Sequence, residues 1–286
     1  KKAEKASYQT RLTPQSETHY EMIKRLELDE KMHCELIKYC KSKEIKFLST
    51  GFDIQSIDLL DKLGIPFFKI PSGEITNLPL LKHVANKSKS VVLSTGMANI
   101  DEIQNAKTVL LESGLDPSDL TFLHCNTEYP TPFKDVNLKA MLTIKDKLNV
   151  NIGYSDHTPG IEVSVAAVAL GATIIEKHFT LDRKMEGPDH AASLEPDELF
   201  SMVKSIRNIE VSLGDGVKKP SGSEEKNIPT VRKSIVAKCS IGIGDTFTKD
   251  NIDVKRPGTG ISPMEWDKVI GTKSKYNFEE DDLIKY

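Results

Sequence analysis

Residues 150–178, VNIGYSDHTPGIEVSVAAVALGATIIEKH, decide the fold. A short apolar run, Val150-Asn151-Ile152-Gly153-Tyr154, leads into Ser155-Asp156-His157. A second, Ala172-Thr173-Ile174-Ile175, leads into Glu176-Lys177-His178. Between them lies GIEVSVAAVALG, a helix-length segment rich in small apolar residues. A strand–helix–strand unit makes its two strands parallel neighbours, with both carboxyl ends on one edge of the sheet. The spacing therefore predicts that His157 and His178 meet at the edge where barrel enzymes carry their chemistry. Two imidazoles so placed can hold a divalent metal.

Working outward, the same rhythm of a β-rich run followed by an amphipathic segment recurs. The runs are 46–50 (KFLST), 66–70 (PFFKI), 90–94 (SVVLS), 120–125 (LTFLHC), 150–155 and 173–178. Helices are expected over 17–26 and 29–41, where apolar residues recur at three- and four-residue spacing. Asn77 with Pro79, Asn99 with Glu102, and Glu195-Pro196 mark further helix starts; Gly114 ends the second of these, and the last helix runs to about Leu213. Buried parallel strands joined by helices make an α/β domain, read as a TIM (β/α)8-type barrel. Six βα units are visible where a closed barrel needs eight. The leading helix should follow a lost strand, and the chain begins without Met, so the first two strands are expected to be missing. An open six-stranded sheet is the competing architecture.

The barrel is assigned to residues 1–213. Residues 214–230, GDGVKKPSGSEEKNIPT, turn to Gly, Lys, Pro, Ser and Glu and read as a linker. Residues 231–286 form a small second module with short strand-like pieces, whose modest core is expected to pack on something.

A formal net charge of -3 gives no sign of a nucleic-acid partner, and no basic stretch interleaves aromatics. No apolar run is long enough to span a bilayer, and no signal peptide is visible. Cys34, Cys40, Cys125 and Cys239 lack zinc or CxxC spacing and read as reduced thiols of a cytoplasmic protein.

The strand ends carry Ser49-Thr50, Lys69 with Ser72-Gly73-Glu74, Ser94-Thr95-Gly96-Met97, the HCNTEY of 124–129, then the two histidine strings. Hydroxyls, glycine-exposed backbone N–H groups and one lysine suit a phosphate and a carboxylate. His157 and His178, with water and Glu176, suit Mn²⁺ or Mg²⁺ weakly and Zn²⁺ better on ligand type alone. Blander readings stand beside these: a histidine bonded within the core, a lysine snorkelling to solvent, a simple Ser-Thr-Gly turn, a solvated Arg256. Glu128, Tyr129 and Asp189 are uninformative singly, and Cys125 reads as core.

The ordered strings FKIPSGE, LSTGM, HCNTEYP, GYSDHT, EKHFTLD, EGPDH and KRPGTG resemble the sialic acid synthase family, which includes N-acetylneuraminate, legionaminate and pseudaminate synthases; the similarity spans essentially the whole chain. The resemblance implies a TIM barrel with a C-terminal antifreeze-like (SAF) domain in a domain-swapped homodimer. It implies condensation of phosphoenolpyruvate with an N-acetylated mannosamine-type sugar, giving a nine-carbon sialic acid and phosphate, with Mn²⁺ as the favoured metal and Mg²⁺ as the alternative. His157 and His178 would ligate it. Thr50, Lys69, Ser72, Ser94, Thr127 and Ser155 would hold phosphoenolpyruvate, with Glu176 beside them. Glu74, Tyr129 and Asp189 would contact the sugar, and the partner protomer's Arg256 would reach its N-acetyl group. Gly51 stands where the family usually has Pro, and Thr127 where some members carry Asn. The family's first strand brings a catalytic Glu and its second a Lys-Phe-Gln group; neither is in these 286 residues, so this chain is expected to be nearly inactive alone.

Two rival functions remain at this point. A lysine Schiff-base aldolase would use Lys69 as nucleophile toward pyruvate. A carbohydrate- or ice-binding module would account for residues 231–286 but leave the polar rim unexplained.

Overall fold

The computed structural model describes residues 3–14, 16–87 and 89–285. The chain divides into two compact units, Lys1–Gly214 and Asp215–Tyr286.

The first unit is built on a parallel sheet of β1 (Phe68–Ile70), β2 (Val91–Ser94), β3 (Leu120–Cys125), β4 (Asn151–Asp156) and β5 (Ile175–Lys177), ordered as in the chain. Ahead of it come α1 (Ser7–Leu12), α2 (His19–Leu26), α3 (Glu30–Ser42) and α4 (Ile54–Lys62). The crossovers are α5 (Leu78–Ala85), α6 (Ile100–Glu112), α7 (Lys139–Leu148) and α8 (Glu162–Ala169), and α9 (Pro196–Leu213) closes the unit. The caps are those the sequence signals. The Asn77 side chain accepts from Leu80 N–H, and Asn99 accepts from Asp101 and Glu102 N–H while Glu102 returns a carboxylate to Asn99 N–H.

Strand alternation sorts the side chains. Phe68, Ile70, Val91, Leu93, Phe122, Ile152 and Tyr154 pack outward on Leu81 and Val84 of α5, Ile103 and Leu110 of α6, and Met141 and Ile144 of α7. Each large aliphatic buried there contributes about 1.5–3 kcal/mol. Val168 of α8 joins Leu194, Met202 and Ile206 in a smaller cluster with α9. The opposite face carries Lys69, Ser94, Cys125, Ser155 and Glu176, aligned through the register pairs Cys125↔Ser155 and Ser155↔Glu176.

That inner face is strongly curved. Lys69 and Glu176 sit on the first and last strands, four strand spacings apart, or about 19 Å across a flat sheet. Yet Lys69 Nζ lies 3.4 Å from Glu176 Oε2. Only a sheet rolled into an arc brings these tips together, which selects the barrel-type wall over an open sheet. Gly153 marks how tight the interior is: a Cβ there would meet the Ile174 carbonyl oxygen at 2.5 Å.

One strand expectation is corrected. Residues 46–50 lie outside the sheet, and β1 is its edge on that side among the described residues. KFLST has strand-like composition, but Leu48 is exposed and the segment makes no ladder with β1.

In the second unit, β6 (Ser234–Ala237) pairs antiparallel with β7 (Ile252–Lys255), and single bridges tie Val236 to Leu283 and Ile241 to Phe278. Its core is Ile235, Ala237, Ile241, Phe247, Ile252, Val269, Phe278 and Ile284. No helix among the described residues is long and apolar enough to cross a membrane.

Candidate active site

The carboxyl ends of β4 and β5 bring His157 and His178 together, with ring centroids 5.4 Å apart and planes at 70°. His157 is buried, and its Nδ1 lies 2.5 Å from the Asn126 carbonyl oxygen. A carbonyl only accepts, so Nδ1 carries the hydrogen and Nε2 keeps its lone pair. Burial, aided by the neighbouring His178 and opposed by the hydrogen bond to the Asn126 carbonyl, lowers the His157 pKa to about 4. The ring is therefore neutral at physiological pH, the form that ligates a metal. His178 Nδ1 stands 4.0 Å from Asp189 Oδ2.

A continuous polar chain joins this pair to Lys69. Ser155 Oγ donates to Glu176 Oε1 at 2.7 Å and lies 3.3 Å from His157 Nε2; Glu176 Oε2 faces Lys69 Nζ. Lys69 is largely buried, so its charge points along the inner face rather than snorkelling outward. Its Nζ is thereby engaged with Glu176 inside the polar chain.

Beside Lys69, a small-residue cradle forms where the strand ends converge. Gly96 N–H donates to Ser72 Oγ at 2.9 Å, and Ser72 Oγ lies 3.3 Å from Cys125 Sγ. A Cβ on Gly96 would stand 2.6 Å from Thr127 Cγ2 and 2.8 Å from Ser72 Oγ, so only glycine lets these groups meet. Ser94 Oγ is buried with no hydrogen-bond partner, as is Asp189 Oδ1. Such orphaned buried polar atoms are costly unless a ligand meets them.

The sugar-side candidates are partly gathered. Tyr129 packs on His157 at 4.1 Å and edge-on to His178 at 5.4 Å. Burial pushes its phenol pKa up, reinforced by the negative charges of Asp189 and Glu176. Glu74 follows β1 in the Ser72–Glu74 turn, where it accepts from Asn77 Nδ2. Thr50 ends the 46–50 segment outside the sheet. Arg256 belongs to the second unit, where its Nε donates to the Val231 carbonyl at 3.1 Å.

Two contributors are not visible in the sequence pattern. Tyr8, from the polar leading segment, stacks on Tyr129 at 4.9 Å, and burial beside Asp189 and Glu128 raises its pKa. Asn126 acts through its backbone carbonyl, which no side-chain motif signals.

For a divalent metal the donor set fits. His157 Nε2 is unprotonated and aimed by its carbonyl partner, with His178 opposite and the Glu176 carboxylate adjacent. No group of three or more His, Cys, Asp and Glu side chains is arranged to enclose an ion among the described residues. Two imidazoles leave the remaining positions to water and substrate, as catalytic metals require.

The NeuB family model matches residues 1–218, and the SAF domain model matches residues 232–286. This chain belongs to the NeuB family. N,N'-diacetyllegionaminic acid synthase of Campylobacter jejuni is 54% identical over 99% of this chain and 85% of its own length. The enzyme of the same name from Legionella pneumophila is 47% identical over 97% of this chain and 78% of its own. The crystal structure of N-acetylneuraminic acid synthetase from Leptospira borgpetersenii, in complex with citrate, aligns over 72% of each chain with a TM-score of 0.68 and 38% identity. These NeuB-family relatives are synthases, and the ring-and-rim geometry above lies within the matched region.

Proposed function

We propose that this protein, when it carries the two leading strands expected above, condenses phosphoenolpyruvate with an N-acetylated, open-chain amino sugar to give a nine-carbon sialic acid and phosphate. The product class favoured is N,N'-diacetyllegionaminic acid, because relatives of that name are 54% and 47% identical whereas the human N-acetylneuraminate-9-phosphate synthase is 37% identical. The observation that carries the reading is the curved inner face, where one polar chain runs from Lys69 through Glu176 and Ser155 to His157, with the His178 ring beside it.

Lys69, Ser72, Ser94, Thr127 and Ser155 hold the phosphate and carboxylate of phosphoenolpyruvate, with Thr50 completing the set. Holding the donor rigidly places its C3 over the sugar aldehyde and removes much of the entropic barrier. Glu74, Tyr129 and Asp189 orient the sugar, and Arg256 of a second protomer engages its N-acetyl group in a domain-swapped homodimer. His157 and His178 would hold Mn²⁺, with Mg²⁺ as the alternative, and the ion would supply Lewis-acid polarisation of the aldehyde. The new bond joins C3 of the donor to the aldehyde carbon. The cation left at C2 takes up water, and the C2–O bond to phosphate breaks. Lys69 and the rim hydroxyls offset charge on the departing phosphate.

The test, run on protein carrying those two strands, is phosphate release from phosphoenolpyruvate with Mn²⁺ across a panel of N-acetylmannosamine and 2,4-diacetamido-6-deoxy sugars. Release dependent on a diacetamido sugar and abolished by EDTA is expected. EDTA-insensitive turnover with a pyruvate adduct trapped on Lys69 by borohydride would overturn the reading in favour of the aldolase.

A further inference from the structure

Asp156 and Lys177 occupy the strand positions immediately before the two histidines, on the opposite face of the sheet. The register sets them directly across from one another, and Lys177 Nζ lies 2.9 Å from Asp156 Oδ2. Both side chains are sealed from water, at 0% and 3% exposure. Both oxygens of the Asp156 carboxylate are doubly engaged. Asp156 Oδ1 accepts from Thr158 N–H at 2.9 Å and Thr158 Oγ1 at 2.7 Å; Oδ2 accepts from Ser164 Oγ of α8 at 2.7 Å. Lys177 Nζ also donates to the Thr158 carbonyl at 2.6 Å.

A buried ion pair is a poor stability device, because apolar residues of similar volume serve at least as well. It is a good registry device. The backbone on both sides of His157, at 156 and 158, is tied to the one residue that precedes His178. We infer that the Asp156–Lys177 pair is the positioning element for the two imidazoles, locking the β4 and β5 ends so that Nε2 of His157 and the His178 ring face one cation. The inference rests on the metal reading above. The pair is neutral as a unit, so its action on a bound cation is geometric.

The experiment titrates Mn²⁺ by electron paramagnetic resonance into the full chain, the Asp156→Leu/Lys177→Met double variant, and Lys177→Arg. Replacing both charges together avoids stranding one of them. The double variant is expected to keep its far-ultraviolet circular dichroism and melting midpoint near wild type while Mn²⁺ binds roughly 10- to 100-fold more weakly. Lys177→Arg, which preserves the pair, is expected to stay within about threefold of wild type. A folded double variant with wild-type Mn²⁺ affinity overturns the inference. If the double variant does not fold, Thr158→Val, which removes one hydroxyl from Asp156, is read by the same titration. A measurable weakening supports the inference there and unchanged affinity overturns it. A wild-type chain that binds no Mn²⁺ sinks the metal reading and the inference together, so the two failures are distinguishable.

Discussion

The two faces of the β4–β5 strand pair are made from similar residue types and behave oppositely. Outward, Lys177, Thr158 and Ser164 engage both oxygens of the Asp156 carboxylate in a dry environment. Inward, the sheet bears Ser94 with no partner, Glu176 shared between Lys69 and Ser155, and His157 with one nitrogen fixed and the other open. Saturated polar groups hold geometry, and under-satisfied ones await a ligand. The difference lies in unmet hydrogen-bonding capacity, not in composition.

The sharpest way to break the comparison is to strand a charge on the saturated face. Lys177→Met alone leaves Asp156 buried and unpaired, and chemical denaturation should show a loss of about 3–5 kcal/mol. On the inner face the damage should fall on turnover instead. His157→Ala should lower kcat/KM by about a thousandfold, the scale of losing several kcal/mol of carbonyl polarisation, with folding retained.

The pH dependence tests the same ring. In the unfolded chain His157 takes a proton near its ordinary pKa of about 6.5, whereas the folded ring resists until about 4. The unfolded state thus binds more protons across that window, so stability is full above it and falls as pH drops through it. The loss is at most about 3 kcal/mol, and a His157→Gln variant should show a shallower decline in urea midpoints between pH 7 and 4.5. Ser94→Ala sharpens the contrast further. Removing an orphaned hydroxyl should leave stability unchanged or about 1 kcal/mol higher, while the KM for phosphoenolpyruvate rises about tenfold. The smallest effect belongs to Tyr8→Ala. Losing one ring from the stack should raise the sugar KM about threefold and leave that for phosphoenolpyruvate unchanged.

The features legible in the sequence were those with local periodicity. The run 150–178 predicts two parallel strands around α8 with His157 and His178 meeting at one edge, as found. That Asp156 and Lys177 pair on the opposite face emerges only from the strand register. The 46–50 run misled because β-rich composition promises a strand only where a neighbour offers its ladder, and β1 does not pair with it. The stack of Tyr8 on Tyr129 joins residues 121 positions apart, and no spacing rule reaches that far. The strand rhythm admits a curved barrel wall or an open sheet, and the contact of Lys69 with Glu176 across the sheet decides for the barrel.

The most direct measurement is electron spin-echo envelope modulation of Mn²⁺ bound to the full chain. Two directly coordinated imidazole nitrogens are predicted, with one lost in His157→Ala and the other in His178→Ala. A spectrum free of nitrogen coupling, or one unchanged by both substitutions, would contradict a cation held between these rings.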